Sequence, residues 1–93
     1  MKSETVKVKN KNGIHMRPAV ELVNKALQFA SDITLETVLG KVNTKSILEV
    51  CMLGITNGTD VIITADGPDE YEAVAVIAEI VGRDFEKNSV KES

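Results

Sequence analysis

Two stretches of this sequence repeat apolar residues at the spacing of an α-helix, and short runs that alternate polar and apolar residues lie before and between them. The first helical stripe comprises Ala19, Leu22, Val23, Ala26, Leu27 and Ala30. The second comprises Ala73, Val74, Ile77, Ile80 and Val81. Each stripe needs an apolar surface to cover it, and the alternating runs supply half-buried strands. The chain is therefore expected to pack helices on one face of a small sheet, which is an α+β arrangement.

The runs and turns along the chain give the element order β-α-β-β-α-β-α. Residues 5–9 predict the first strand, and Pro18 stands in the first turn of the helix that follows, where a missing N–H costs nothing. Residues 33–38 and 41–43 predict a hairpin. The strand residues expected to point inward are Val6, Val8, Ile33, Leu35, Val61, Ile63 and Ala65.

The two later helices carry recognisable end signals. Ser46 and Glu49 have the spacing of a capping box, in which the hydroxyl and the carboxylate each accept a hydrogen bond from a backbone N–H at the helix start. Gly54 is a suitable residue to end that helix. Asp69 and Glu72 are expected to cap the last helix.

Length and composition narrow the class of protein. Ninety-three residues suit one domain, which we expect at residues 1–85, with a polar tail at residues 86–93. Aromatic residues make up 3% of the chain, so Val, Ile, Leu and Ala must build the core. A net charge of −3, without a basic face that carries aromatic residues, argues against a nucleic-acid-binding protein.

Cys51 and His15 are the sole cysteine and the sole histidine of the sequence. One cysteine cannot form an internal disulfide, which suits a reducing cytoplasm, and the pair is too small for a metal cluster of thiolates and imidazoles. The longest apolar stretch, residues 73–81, contains Glu79 and is far shorter than the roughly 18 residues of a membrane helix. We therefore expect a cytoplasmic protein with no membrane segment, no metal and no cofactor.

His15 stands where a glycine-containing loop meets the start of the first helix, within residues 13–19 (GIHMRPA). The first-turn N–H groups of a helix, here those of Met16 and Arg17, have no intrahelical partner and favour anions. A phosphoryl group on the imidazole would meet these donors and the Arg17 guanidinium, and a neutral imidazole is a competent nucleophile toward phosphorus. A single histidine at a helix start is also a common surface or capping residue, so the spacing alone leaves both interpretations open.

Three motifs of the sequence are similar to those of a known family. They are Gly13-Ile14-His15 followed by Arg17-Pro18-Ala19; Val42-Asn43 with Lys45-Ser46-Ile47, Val50 and Leu53-Gly54; and Gly67 with Asp69-Glu70. In these motifs the chain resembles HPr, the histidine-containing phosphocarrier family of the bacterial phosphoenolpyruvate-dependent sugar phosphotransferase system. The resemblance extends over about residues 3–85.

The resemblance implies both a fold and a function. The fold is an open-faced sandwich, in which a four-stranded antiparallel sheet carries three helices on one face. His15 would carry a phosphoryl group through Nδ1, Arg17 would balance its charge, and Ser46 would be the residue that a regulatory serine kinase modifies. Enzyme I would supply the phosphoryl group and enzyme IIA domains would receive it for sugar uptake. The protein would then be a monomeric covalent shuttle that catalyses little alone.

An apolar surface beside His15 is the expected docking site for these partners. The residues assigned to it are Met16, Ile47, Leu48 and Cys51. Leu48 and Cys51 stand where relatives commonly have methionine, and both keep the surface apolar. Ile47 and Leu48 are also compatible with the core, since helical periodicity exposes only part of a short helix.

The sequence departs from the family pattern at three further positions. Met16 replaces the small residue that usually lies between the histidine and the arginine. Glu49 replaces a typical glycine beside Ser46, and helix capping explains Ser46 as well as a kinase site does. Asn24 replaces a lysine found in some relatives, and whether the neighbouring Lys25 makes that contact is open.

Two other functions remain open from the sequence. One is a regulatory binding protein controlled by phosphorylation of Ser46, and the other is an interaction domain without phosphoryl chemistry. For a carrier, the sequence does not distinguish sugar uptake from a nitrogen-regulatory phosphorelay.

Overall fold

The computed structural model describes residues 1–84, which form four strands and three helices in the predicted order. The strands are β1 (Lys2–Lys7), β2 (Asp32–Thr37), β3 (Gly40–Asn43) and β4 (Asp60–Asp66). The helices are α1 (Met16–Ala26), α2 (Ile47–Met52) and α3 (Glu70–Val81). The predicted domain end at residue 85 and the predicted tail at residues 86–93 lie outside the described residues.

The four strands form one antiparallel sheet in the order β1-β4-β2-β3. Both β1 and β2 pair with β4, which places Leu35 opposite Ile63 on the face that the helices cover. Of the residues predicted to point inward, all are buried except Val6, which is half-buried. The other face carries exposed residues such as Thr5 and Glu36. The predicted α+β open-faced sandwich is confirmed.

Aliphatic side chains build the core, as the low aromatic content predicts. The largest fully buried side chains are Leu22, Ile33, Leu35, Ile63, Ile77, Ile80, Val8, Val50, Val61, Val74, Val81 and Asn10. Burial of such a side chain stabilises the fold by about 1.5–3 kcal/mol before the entropic cost is counted. Asn10, the one polar side chain among them, is satisfied because its Nδ2 donates to the Gly13 carbonyl at 2.7 Å.

β1 begins earlier than the alternating run of residues 5–9 predicts. Lys2, Ser3 and Glu4 show no alternation, yet they pair with β4 through their backbone groups. Backbone pairing leaves no mark on the side-chain pattern of an exposed edge strand. The start of β1 was therefore predicted three residues too far along the chain.

α1 ends at Ala26, so Leu27 and Ala30 of the predicted stripe are exposed. After a turn at residues 27–29, the backbone N–H groups of Ala30 and Ser31 donate to the Asp69 carboxylate, both at 2.9 Å. These hydrogen bonds join residues 39 and 38 positions apart in the sequence, so local periodicity could not predict them.

The predicted capping role of Asp69 is wrong. Asp69 occupies the N-cap position of α3, but its side chain makes no cap hydrogen bond to that helix. Its carboxylate instead accepts from Ala30 and Ser31, including the Ser31 hydroxyl. The Gly67 N–H before α3 is bound by Glu70 Oε1 at 3.1 Å, while Glu72 is exposed in the first turn.

The hydrogen bonds to Asp69 predict an acid-sensitive contribution to stability. The Ser31 hydroxyl first, and then the Ala30 N–H, lower the pKa of Asp69 from its ordinary value of 3.8. A lowered pKa stabilises the fold above that ordinary value, and the contribution is lost as pH falls through the folded-state pKa. Asp69→Asn should therefore lower the melting temperature at neutral pH, and the gap should narrow in strong acid. An unchanged gap, or an equal loss in the exposed control Glu72→Gln, would contradict this.

Candidate functional site

His15 lies between α1 and the loop that precedes it. The loop is fixed by the Ile14 N–H, which donates to the Ile55 carbonyl at 3.0 Å, and by the buried Asn10, which holds the Gly13 carbonyl. His15 is exposed and takes the N-cap position with extended backbone angles (φ −88°, ψ −168°). Its side chain makes no cap hydrogen bond to the helix, so capping does not account for this histidine.

The first turn of α1 supplies donors beside His15. The N–H groups of Met16 and Arg17 precede the first intrahelical hydrogen bond, which runs from the Ala19 N–H to the His15 carbonyl at 2.9 Å. Pro18 has no N–H and fixes the backbone of this turn. The Met16 and Arg17 side chains are both exposed. The structure thus places His15, Met16 and Arg17 together at one end of α1, and first-turn N–H groups of this kind favour an anion.

The predicted capping box at the start of α2 is only half formed. Ser46 is the N-cap, and its hydroxyl accepts from the Glu49 N–H at 3.3 Å, as predicted. The Glu49 carboxylate does not return to the Ser46 N–H, because that N–H donates to the Asn43 carbonyl at 3.1 Å. Glu49 Oε1 accepts instead from the Asn43 N–H at 3.0 Å.

Exposed apolar side chains lie at the start of α1 and along α2. Of the predicted docking residues, Met16 and Leu48 are 62% and 67% exposed, Ile47 is 38% exposed, and Cys51 is half-buried against the core. Their exposure agrees with a surface role and places Leu48 outside the core.

Two exposed apolar residues of this region were missed from the sequence. Val20 lines a shallow cleft with Val23, Asn24 and Ile47, and Met52 is 75% exposed on α2. Val20 is an apolar residue of α1 that lies outside the buried stripe. This position could have indicated an exposed apolar side chain from the sequence. Asn24 lies in the cleft, whereas Lys25 lies in the last turn of α1.

Some kinds of site are absent from residues 1–84. No three His, Cys, Asp or Glu residues in this part of the chain are placed to hold a metal ion. No helix in the same range has the length and apolar character that crossing a membrane requires.

Comparisons with known proteins identify the family. Residues 2–83 match the family described as "PTS HPr component phosphorylation site". An HPr structure from Thermoanaerobacter tengcongensis is 41% identical, covers 87% of this chain and 91% of its own, and has a TM-score of 0.83. A phosphocarrier HPr from Bacillus anthracis is 38% identical over 86% of this chain and 95% of its own, with a TM-score of 0.82.

A third similar structure is a regulatory relative. It is the Bacillus subtilis catabolite repression protein Crh, described as a domain-swapped dimer, which is 41% identical over 87% of this chain and 93% of its own. Its TM-score is 0.69. Because the family match covers nearly all of the sequence and the solved HPr structures share its fold at this identity, the chain belongs to the HPr family of the phosphotransferase system.

Proposed function

We propose that this protein is a phosphocarrier, which accepts a phosphoryl group on His15 from phosphorylated enzyme I and passes it to enzyme IIA domains for sugar uptake in the cytoplasm. The observation that carries the proposal is the exposed imidazole at the N-cap of α1, next to the backbone donors of Met16 and Arg17. Membership of the HPr family supports the same chemistry.

The transfer needs a nucleophile and a site for the moving charge. A neutral imidazole nitrogen attacks phosphorus, and an N–P bond forms as the bond to the donor on enzyme I breaks. The Met16 and Arg17 N–H groups and the Arg17 guanidinium then hold the phosphoryl oxygens. The N–P bond stays labile, so the reverse sequence delivers the group to enzyme IIA.

The direct test is incubation with enzyme I and labelled phosphoenolpyruvate. Label that is lost in acid and kept in base identifies phosphohistidine and supports the carrier. Failure to label a folded protein in the presence of active enzyme I contradicts it.

The likeness to Crh favours a second candidate, a regulatory protein controlled by phosphorylation of Ser46. Ser46 is half-buried at the start of α2, next to the exposed Ile47 and Leu48. Acid-stable label on serine, after incubation with a serine kinase and a nucleoside triphosphate, would support this role. The size of the protein in solution, by light scattering, distinguishes the expected monomer from a dimer such as Crh.

Arg17→Ala should slow phosphoryl transfer to and from His15 by about ten- to hundredfold. A charge-assisted hydrogen bond is worth roughly 1.5–3 kcal/mol, and the backbone donors of the first turn remain in the variant. Labelling rates in both directions measure the effect. Lys41→Ala, which removes a positive charge on β3, is the control, and an equal change in the two variants would show that Arg17 acts only as surface charge.

Leu48→Glu should weaken binding to enzyme I by about fivefold or more while the melting temperature changes little. Leu48 is 67% exposed, and burial of an apolar anchor by a partner typically contributes more than 1 kcal/mol. Titration calorimetry measures the loss. Val38→Glu is the matched control, because Val38 is fully exposed on the turn between β2 and β3. Equal weakening would show a nonspecific charge effect, and unfolding of Leu48→Glu would mean that Leu48 supports the core.

A further inference from the structure

We propose that Glu49 disfavours a phosphoryl group on Ser46, so that its charge determines how far this chain can respond to a serine kinase. The inference rests on the proposed modification of Ser46 and adds the residue that opposes it. Nothing in the transfer of phosphate through His15 uses Glu49.

The Glu49 side chain folds back over the loop that carries Ser46. Glu49 Oε1 accepts from the Asn43 N–H at 3.0 Å, and the Ser46 N–H donates to the Asn43 carbonyl at 3.1 Å. The Glu49 N–H in turn donates to Ser46 Oγ at 3.3 Å. The carboxylate and the serine hydroxyl are therefore tied to the same four-residue loop, and a phosphoryl group on that hydroxyl would enter the field of the carboxylate.

One cation lies next to Ser46 in the sequence, and a second lines the cleft beside Glu49. Lys45 Nζ donates to the Phe29 carbonyl at 2.8 Å, and the Lys45 N–H donates to Asn43 Oδ1 at 2.9 Å. Within residues 1–84, Glu49 makes no ion pair. Lys41 lines the same cleft as Glu49, so Lys41 and Lys45 are the cations near this loop that the two anions would have to share.

Phosphorylation of Ser46 would place two anions in this loop. The γ-phosphoryl group of a nucleoside triphosphate moves to Ser46 Oγ, so that an O–P bond forms, the β–γ bridging bond breaks and the hydroxyl proton leaves. The product carries about −1.5 to −2 charges at neutral pH, and such a group is destabilising beside a carboxylate. Glu49 is exposed, so this repulsion is screened by salt and should fade at high ionic strength.

The test places a fixed carboxylate at Ser46 and varies its neighbour. Ser46→Asp is made in the natural protein and in Glu49→Gln, Glu49→Gly and Glu72→Gln. Glu49→Gln keeps an acceptor for the Asn43 N–H and removes only the charge. Glu72→Gln removes an equal charge from the exposed first turn of α3. Aspartate is a good N-cap residue, so the variants are expected to fold.

We expect Ser46→Asp to raise the melting temperature by about 2–5 °C more in both Glu49 variants than in the natural protein or in Glu72→Gln. The difference should vanish near about 1 M salt, where the Debye length is about 3 Å. A serine kinase that modifies HPr proteins, supplied with ATP, should modify Glu49→Gln about fivefold faster than the natural protein, which corresponds to about 1 kcal/mol.

Equal shifts in all four backgrounds overturn the proposal. A larger shift in Glu49→Gly alone also overturns it, because Glu49 would then act through the Asn43 hydrogen bond and not through its charge. None of these measurements involves His15, so their failure leaves the carrier function standing. A failure of the labelling test would in turn leave this comparison valid.

Discussion

His15→Ala is expected to abolish the transfer of labelled phosphate from phosphoenolpyruvate through enzyme I, with little change in melting temperature. His15 is the sole histidine, so no other side chain can form a phosphoimidazole. The imidazole is exposed and does not cap α1, so its removal takes little from the core. The measurement is acid-labile label per protein, together with thermal unfolding of both proteins.

Two outcomes would contradict this result. Label that persists on His15→Ala would place the phosphoryl group on another residue and defeat the carrier assignment. Loss of label together with loss of the folded state would show that His15 acts through structure. Arg17→Ala is the comparison variant, because it should slow the transfer of phosphate and still allow it.

The fold was predicted from the sequence wherever burial leaves a local periodic signal. β4 alternates Val61, Ile63 and Ala65 toward the core, and α3 repeats apolar residues at helical spacing, so both were found. The end of α1 was missed because Asp69, far away in the sequence, supplies acceptors for the backbone after the helix. Side-chain patterns do not record such tertiary hydrogen bonds.

The sequence was enough to predict the part of the candidate site whose residues are adjacent in the chain. His15, Met16 and Arg17 are neighbours along the chain, so locating the helix start was enough to bring them together. Val20 was missed because its exposure depends on how α1 packs against α2. The predicted donor to the Glu49 carboxylate, the Ser46 N–H, was wrong. That N–H donates to the Asn43 carbonyl, and the carboxylate accepts from the Asn43 N–H. The sequence pattern does not show this competition, because it depends on how the loop folds.

Gly13→Ala is expected to cause a large loss of stability, about 2–5 kcal/mol, and to slow phosphorylation of His15. Gly13 has φ +71°, where a residue with a Cβ loses roughly 1–2 kcal/mol. An alanine Cβ would also overlap the Ile55 carbonyl oxygen and lie 2.8 Å from Thr56 Cα. These are backbone atoms that cannot rotate away, and overpacking of this kind typically costs a further 1–3 kcal/mol or so.

The steric overlap at Gly13→Ala should also disturb the candidate site around His15. The Ile55 carbonyl that the new Cβ would displace is the acceptor for the Ile14 N–H at 3.0 Å. Relief of the overlap therefore stretches the hydrogen bond that fixes the residue before His15. The imidazole and the first turn of α1 should lose their relative alignment, so the labelling rate should fall even at temperatures where the variant remains folded.

Gly54→Ala separates the two causes, because Gly54 has nearly the same backbone angle, φ +66°, and an added Cβ there meets nothing within 4 Å. It should lose only the backbone part, about 1–2 kcal/mol, and should keep the natural labelling rate. Urea denaturation of both variants measures the difference in the free energy of unfolding, and labelling at low temperature measures the rates. Equal losses of unfolding free energy in the two variants would mean that the loop before His15 shifts to admit the new Cβ at little cost. The Ile14 hydrogen bond would then not be what holds the His15 imidazole at the start of α1.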